Sequence, residues 1–204
     1  MNSQGQILDG SQFGVWIDKI ITEYKPNTIV EIGTWKGLGS TKRIIDSIIK
    51  NKITPNFLSL ESNQSFYDIA NINLKNYLDI VTLILGRIIE SEDIQDFISK
   101  NTISNQMYKW LESDLKDYLI CKNVINKIPS KIDFLLLDGG EFSTYIEWRI
   151  LKDRCNIVAL DDSLILKCKQ IREELLNDTD YTLIVDSSDR NGFTIFKKNE
   201  YNTI

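Results

Sequence analysis

The chain contains no histidine. Any general base must therefore be a carboxylate, lysine, tyrosine or cysteine, and any metal site must be built from oxygen or thiolate ligands. Cysteine is scarce. Cys121, Cys155 and Cys168 are the 3 present, widely spaced and without a C-x-x-C pair, so neither a disulfide framework nor a zinc site is implied. Cys168 falls on an apolar helical face and reads as core. No apolar run approaches the roughly 20 residues that span a bilayer. Residues 1–10 are polar and lack a signal-peptide core, so the expectation is a cytoplasmic protein with no membrane partner. Basic residues are in deficit, 24 against 29 acidic ones for a net charge of −5. They are scattered, not striped, which argues against a nucleic-acid backbone as the main partner.

What is present suits one globular domain. The chain has 204 residues, 42% apolar and 26% charged, enough for a sizeable core. No composition shift, repeat or linker divides it, so a loose tail over 1–10 and a single domain over 11–204 are expected. Residues 11–24 form a helical pattern with Phe13, Trp16, Ile17, Ile20 and Ile21 on one face. Ile29-Val30-Glu31-Ile32 is a strand-like run that breaks at Gly33, with Gly37 and Gly39 following. Residues 41–50 then repeat isoleucines at helical spacing. A strand thus runs into a glycine-rich turn that opens a helix. Glycine permits close backbone approach, and the helix start offers free N–H groups to a carboxylate or phosphate.

The pattern continues. Phe57 to Leu60 is a second strand ending at Glu61, one βαβ unit after Glu31. There an acid can accept hydrogen bonds from both ribose hydroxyls of an adenosine group, or merely stabilise the next helix near Ser62 and Asn63. A helix over 65–77 and a strand over 80–85, closing at Gly86, come next. Residues 87–130 exceed a minimal crossover and hold two helical patterns, 91–100 and 105–121. Met107, Trp110, Leu111, Leu115, Tyr118 and Leu119 stripe the second, for packing on the sheet, a lid or a dimer surface. Ile132 to Leu137 is a buried strand stopping at Asp138-Gly139-Gly140. A helix over 142–152 leads to a strand over 156–160 ending at Asp161-Asp162. A helical face of Leu164, Ile165, Cys168, Ile171 and Leu175 follows. Strands over 181–185 and 192–196 are joined by a short polar link, which cannot carry a parallel crossover. The expectation is an α/β fold, a doubly wound and mostly parallel sheet with a C-terminal antiparallel hairpin. Gly33, Glu61, Gly86, Asp138 and Asp161 all stand at strand C-termini, where such sheets bind ligands.

Glu31-x-Gly33-x-x-x-Gly37-x-Gly39 resembles the first motif of class I S-adenosylmethionine-dependent methyltransferases. The dinucleotide fingerprint is absent, because Trp35 takes the place of its second glycine, and no phosphate-loop Gly-Lys-Ser/Thr follows. The resemblance covers about 13–197. It is nearest to the O-methyltransferase branch that includes catechol-type and macrolide-sugar enzymes, through Leu137-Asp138-Gly139-Gly140 and Leu160-Asp161-Asp162. It implies S-adenosylmethionine as cofactor, contacted by Glu31, Gly33, Thr34, Trp35, Gly37, Gly39, Ser40, Glu61 and Gly86. In that branch the acids after the fourth and fifth strands bind a divalent cation, which nominates Asp138, Asp161 and Asp162 for Mg²⁺ or a similar ion. This chain departs from its relatives in two places. Gly140 and Glu141 replace a common His or Lys, and Lys152-Asp153-Arg154-Cys155 replaces a Pro-Gly-Gly turn.

A hydroxyl is a poor nucleophile at neutral pH and needs a carboxylate base or a cation that lowers its pKa. Asp138, Glu141 and Tyr145 are the candidate activating groups, with Asp162 alternatively a cap for a helix starting near Ser163. The function implied is O-methylation of a small-molecule or sugar hydroxyl, in a monomer or homo-oligomer. The alternative is a nucleoside- or nucleotide-binding module without methyl transfer.

Overall fold

The computed structural model describes residues 7–8, 10–101 and 104–199. Most of the tail expected over 1–10 lies outside the described residues, but Ile7 is buried in the core beside α1 (Gln12–Tyr24). Ser11 caps that helix by accepting from the Gly14 N–H, and Lys25 ends it in the left-handed region.

The remaining elements alternate as expected. They are β1 (Thr28–Ile32), α2 (Ser40–Asn51), β2 (Asn56–Glu61), α3 (Gln64–Asn73), β3 (Thr82–Leu85), α4 (Ser91–Ser99), α5 (Asn105–Ile120), β4 (Ile132–Leu137), α6 (Thr144–Leu151), β5 (Cys155–Asp161), α7 (Leu166–Leu176), β6 (Tyr181–Ser187) and β7 (Phe193–Lys198). One seven-stranded sheet runs β3-β2-β1-β4-β5-β7-β6. β1 to β5 pair in parallel, and β7 is antiparallel to both β5 and β6. The terminal pair is the expected hairpin at one edge. β7 lies inside it and is mostly buried, with β6 on the rim.

The strands are apolar on both faces because each face carries helices. Ile29, Phe57, Phe134, Leu136 and Ile157 point toward the cluster with α1 and α2. Val30, Leu58, Leu135, Leu137 and Val158 point toward the cluster with α4, α5, α6 and α7. The alternation along β4 shows the two-residue period directly. Among the described residues, no helix is long and apolar enough to cross a membrane.

Three local expectations are corrected. α3 stops at Asn73, and the chain reaches β3 through turns closed by Tyr77 and Ile80. α5 buries Leu111 and Tyr118, yet Trp110 is 50% and Leu119 71% exposed, so its apolar stripe is only half used. α7 begins at Leu166 because Asp162 sits at φ 54, which delays the helix. Leu164 and Ile165 therefore precede it, and Ile165 is its N-cap.

Candidate active site at the C-terminal rim of the sheet

The strand order reverses between β1 and β4, and an open α/β sheet has its crevice outside the strand ends at such a point. Here Gly33 leaves β1 at φ 102. A Cβ on it would lie 2.1 Å from the Asp138 carbonyl oxygen, so the two strand ends touch through the missing side chain. The Gly33 and Thr34 N–H groups donate to Leu60 O, which ties the loop to β2. Gly37, at φ 77, abuts Leu74, whose Cδ1 would be 2.7 Å from a Cβ there. These two glycines therefore serve contacts within the protein. Gly39 is the N-cap of α2 and offers no side chain to its first N–H groups. Among the described residues those donors have no side-chain cap, an arrangement that suits an anion.

Glu31 is fully buried. Its Oε2 accepts from Thr41 Oγ1 at 2.7 Å and Ser59 Oγ at 2.6 Å, while Oε1 has no partner. It braces β1, β2 and α2 behind the loop. Burial raises its carboxyl to about 7 against those hydrogen bonds. Glu61 braces the loop from the front. Its Oε2 accepts the Trp35 N–H at 2.7 Å and its Oε1 the Asn63 N–H at 2.9 Å. Trp35 is held at φ 48, a conformation uncommon outside glycine. Burial also lifts Glu61 to about 7.

Two clefts meet at this point and share Gly33, Trp35, Asp138 and Gly139. The first, about 190 Å³, runs past Glu61 and Gly86 toward Arg87 and Ile88. Its far wall is Asp114, Asp117 and Tyr118 of α5, with Glu147 of α6. Asp117 accepts from Asn63 Nδ2 at 2.9 Å and Tyr118 donates to Glu147 at 3.0 Å, so the insertion reaches across the rim. Burial, then the charges of Asp117 and Glu141, push Asp114 up to about 7. Glu147 Oε2 is buried without a partner, and burial lifts that carboxyl to about 7 as well. The second cleft, about 250 Å³, lies beside Thr34, Gly39 and Ser40 and ends at Asp161, Asp162, Lys167 and Arg190.

That end is the chemically dense part. Asp138, Asp161 and Asp162 bring one carboxylate oxygen each within 4.8 Å of one another, a donor set that suits a hard cation. Lys167 Nζ already stands among them, 2.7 Å from Asp138, 2.8 Å from Asp162 and 3.9 Å from Asp161. Arg190 lies 3.7 Å from Asp161 and 3.8 Å from Asp162. A divalent ion would add its charge beside a buried ammonium, so the residues do not fit one while Lys167 is in place. Burial and the Asp138 charge push Asp161 up to about 8. Burial works against the charge on Asp162 too, but Lys167 and Asn191 outweigh it and hold that group below its usual range. Asp162 accepts from Asn191 at 3.0 Å and does not cap α7.

The structure separates the three candidate activating groups. Asp138 lines both clefts. Glu141 faces the backbone N–H of Lys167 at the start of α7 and lines neither cleft. Tyr145 points the other way, donating to Glu174 at 2.5 Å and stacking obliquely on Phe97. The register of α6 puts Tyr145 two positions from the cleft-facing Glu147, on another side of the helix. Lys167, Arg190, Asp114, Asp117 and Glu147 are rim residues that sequence reasoning passed over. The i, i+3 spacing of the two α5 acids was the one available signal.

No protein-family model matches the sequence, and no curated protein matches it significantly. Solved structures do. A caffeoyl-CoA O-methyltransferase-like protein from Staphylococcus aureus superposes with a TM-score of 0.62 at 16% identity, over 92% of this chain and 83% of that one. The fold is that of the class I methyltransferases. An O-methyltransferase from Bacillus cereus, in complex with S-adenosylhomocysteine, gives 0.59 at 15% identity over 96% and 84% of the two chains. TomG from Streptomyces achromogenes, an O-methyltransferase of tomaymycin synthesis bound to S-adenosylmethionine, gives 0.58 at 15% over 95% and 82%. The methyltransferase fold thus extends over nearly all of this chain and accounts for the terminal hairpin.

Proposed function

We propose that the protein is an S-adenosylmethionine-dependent methyltransferase acting on a hydroxyl of a small molecule or sugar. The observation that carries this reading is the pair of clefts joined at Gly33, Trp35, Asp138 and Gly139. One has an acid at the end of β2 and suits a nucleoside. The other has an uncapped helix start and an acid cluster. A molecule that is adenosine at one end and an amino acid at the other spans both. Glu61 still has lone pairs for ribose hydroxyls beyond the two N–H groups it accepts. The first N–H groups of α2, beside Ser40, suit the donor's carboxylate, and acids around the junction suit its ammonium and sulfonium charges. Solved structures of this fold that carry S-adenosylmethionine or S-adenosylhomocysteine support the choice of donor.

When bound, the donor supplies an electrophilic methyl carbon. The chain must hold the acceptor oxygen in line with it and take up a proton. Among the described residues the Asp161 carboxylate accepts no hydrogen bond and makes only long ion pairs with Lys167 and Arg190, and its raised pKa matches a proton acceptor working near neutrality. In this scheme the acceptor proton passes to Asp161 as oxygen bonds to carbon, and the carbon–sulfur electron pair leaves with sulfur. Asp138 positions Lys167 and closes the junction between the clefts. The test is calorimetric titration with S-adenosylhomocysteine, NAD and ATP, followed by methyl transfer to a panel of sugars and phenols. Binding of NAD or ATP in preference to S-adenosylhomocysteine would refute it.

A further inference from the structure

A buried lysine in the first turn of a helix is an unfavourable arrangement. The helix dipole opposes it, and desolvation of its charge is costly unless it is well paired. Lys167 is the second residue of α7 and 5% exposed. What holds it there is the acid cluster. Its ammonium has three donors, directed at Asp138 and Asp162 with Asp161 just beyond. The acids come from the ends of β4 and β5, and the ammonium comes from the next helix, so the chain closes a charged cage on itself. Two of the three carboxylates that would have to surround a divalent ion are in contact with nitrogen.

The geometry points to Lys167 as the resident cation of this cluster, standing where a divalent metal would otherwise sit and supplying positive charge beside the acceptor oxygen. This rests on the methyltransferase reading for its chemical purpose but not for its test. An ammonium at this point does two things a metal ion would do. It relieves the repulsion between converging carboxylates, and it stabilises negative charge developing on an acceptor hydroxyl as the proton leaves. It also differs in one respect. It is a single charge on a fixed stem, so it cannot be removed by chelation or exchanged. Arg190, at 3.7 Å from Asp161, adds a second fixed positive group on the open side. The cage then carries three acids and two cations without needing any ion from solution.

The experiment needs no methyl donor. Mn²⁺ is titrated into the full chain and followed by electron paramagnetic resonance of free Mn²⁺ and by thermal shift. Wild type should show no specific site at millimolar metal. Lys167→Met should fold, by circular dichroism, and gain a Mn²⁺ site that raises its melting temperature. The site should vanish in Lys167→Met with Asp161→Asn. Should the methionine variant be unstable, Lys167→Gln serves the same purpose, and the wild-type titration stands alone. A Mn²⁺ site in wild type that Asp161→Asn removes would overturn the inference. So would a folded Lys167→Met that still ignores Mn²⁺, because the acids would then not be a cation site at all. Either result leaves S-adenosylhomocysteine binding, and hence the methyltransferase reading, untouched.

Discussion

The missing side chain of Gly33 is filled by the backbone of Asp138, whose carbonyl oxygen would lie 2.1 Å from a Cβ on the glycine. The loop after β1 and the acid at the end of β4 are thus one packed unit. Gly33→Ala must relieve a backbone clash at a φ of 102. It should cost about 3 kcal/mol or more from strain and overpacking. Urea denaturation would measure it, and donor binding should fall in parallel.

Glu61→Ala removes the acceptor for the Trp35 N–H and, on the proposed reading, a ribose contact. Each charge-assisted hydrogen bond contributes about 1.5–3 kcal/mol, so S-adenosylhomocysteine affinity should fall roughly 10- to 100-fold. Titration of both proteins decides it, and equal affinity would remove Glu61 from the site.

As the proposed proton acceptor, Asp161 would act only when ionised. Its carboxyl is raised to about 8, so single-turnover methyl transfer should increase with pH up to and through that value. Asp161→Asn should abolish the pH step and lower the rate by ~100-fold or more, the range of general-base catalysis. A wild-type profile flat from pH 6 to 9 would assign the proton to another group.

Buried carboxyls set the pH dependence of stability. Glu31, Glu61 and Glu147 rise from an ordinary 4.5 to about 7, with burial the largest cause in each. A carboxyl whose folded pKa is raised binds its proton more tightly when folded, so its contribution is complete below 4.5 and fades as pH climbs through about 7. The melting temperature should therefore decline between pH 4.5 and 7. Glu147→Gln should flatten that slope, as followed by thermal denaturation at several pH values.

Tyr145→Phe should leave methyl transfer within about twofold of wild type, because the hydroxyl serves Glu174 and not the clefts. Its cost should appear in stability, at about 1 kcal/mol for one hydrogen bond.

Most of the fold could be read from the chain because β1, β2, β4 and β5 are apolar on both faces and each ends abruptly at a glycine or acid. That abruptness also exposed Glu61, Asp138 and Asp161. Lys167 was hidden for a local reason. The apolar spacing from Leu164 suggested a helix already under way, whereas the left-handed turn at Asp162 starts α7 later and brings the lysine inward. Asp114 and Asp117 lie outside the apolar stripe of α5, and only tertiary placement shows them across the cleft from Glu61. Tyr145 is near Asp138 along the chain, yet the turn of α6 carries its hydroxyl to Glu174, whereas Glu141 stays within electrostatic reach of Lys167 and Asp162 without lining either cleft.

The position of β7 between β5 and β6 has a bearing on how the protein is made. It is the last of the seven strands to leave the ribosome, yet it pairs with β5, and Phe193 is the register partner of Asp161. Until it arrives, β5 is an open edge, and the strand end that bears Asp161 and leads to Lys167 lacks its support. The first five strands can assemble during synthesis, whereas the charged cage is completed only as the C-terminal hairpin docks.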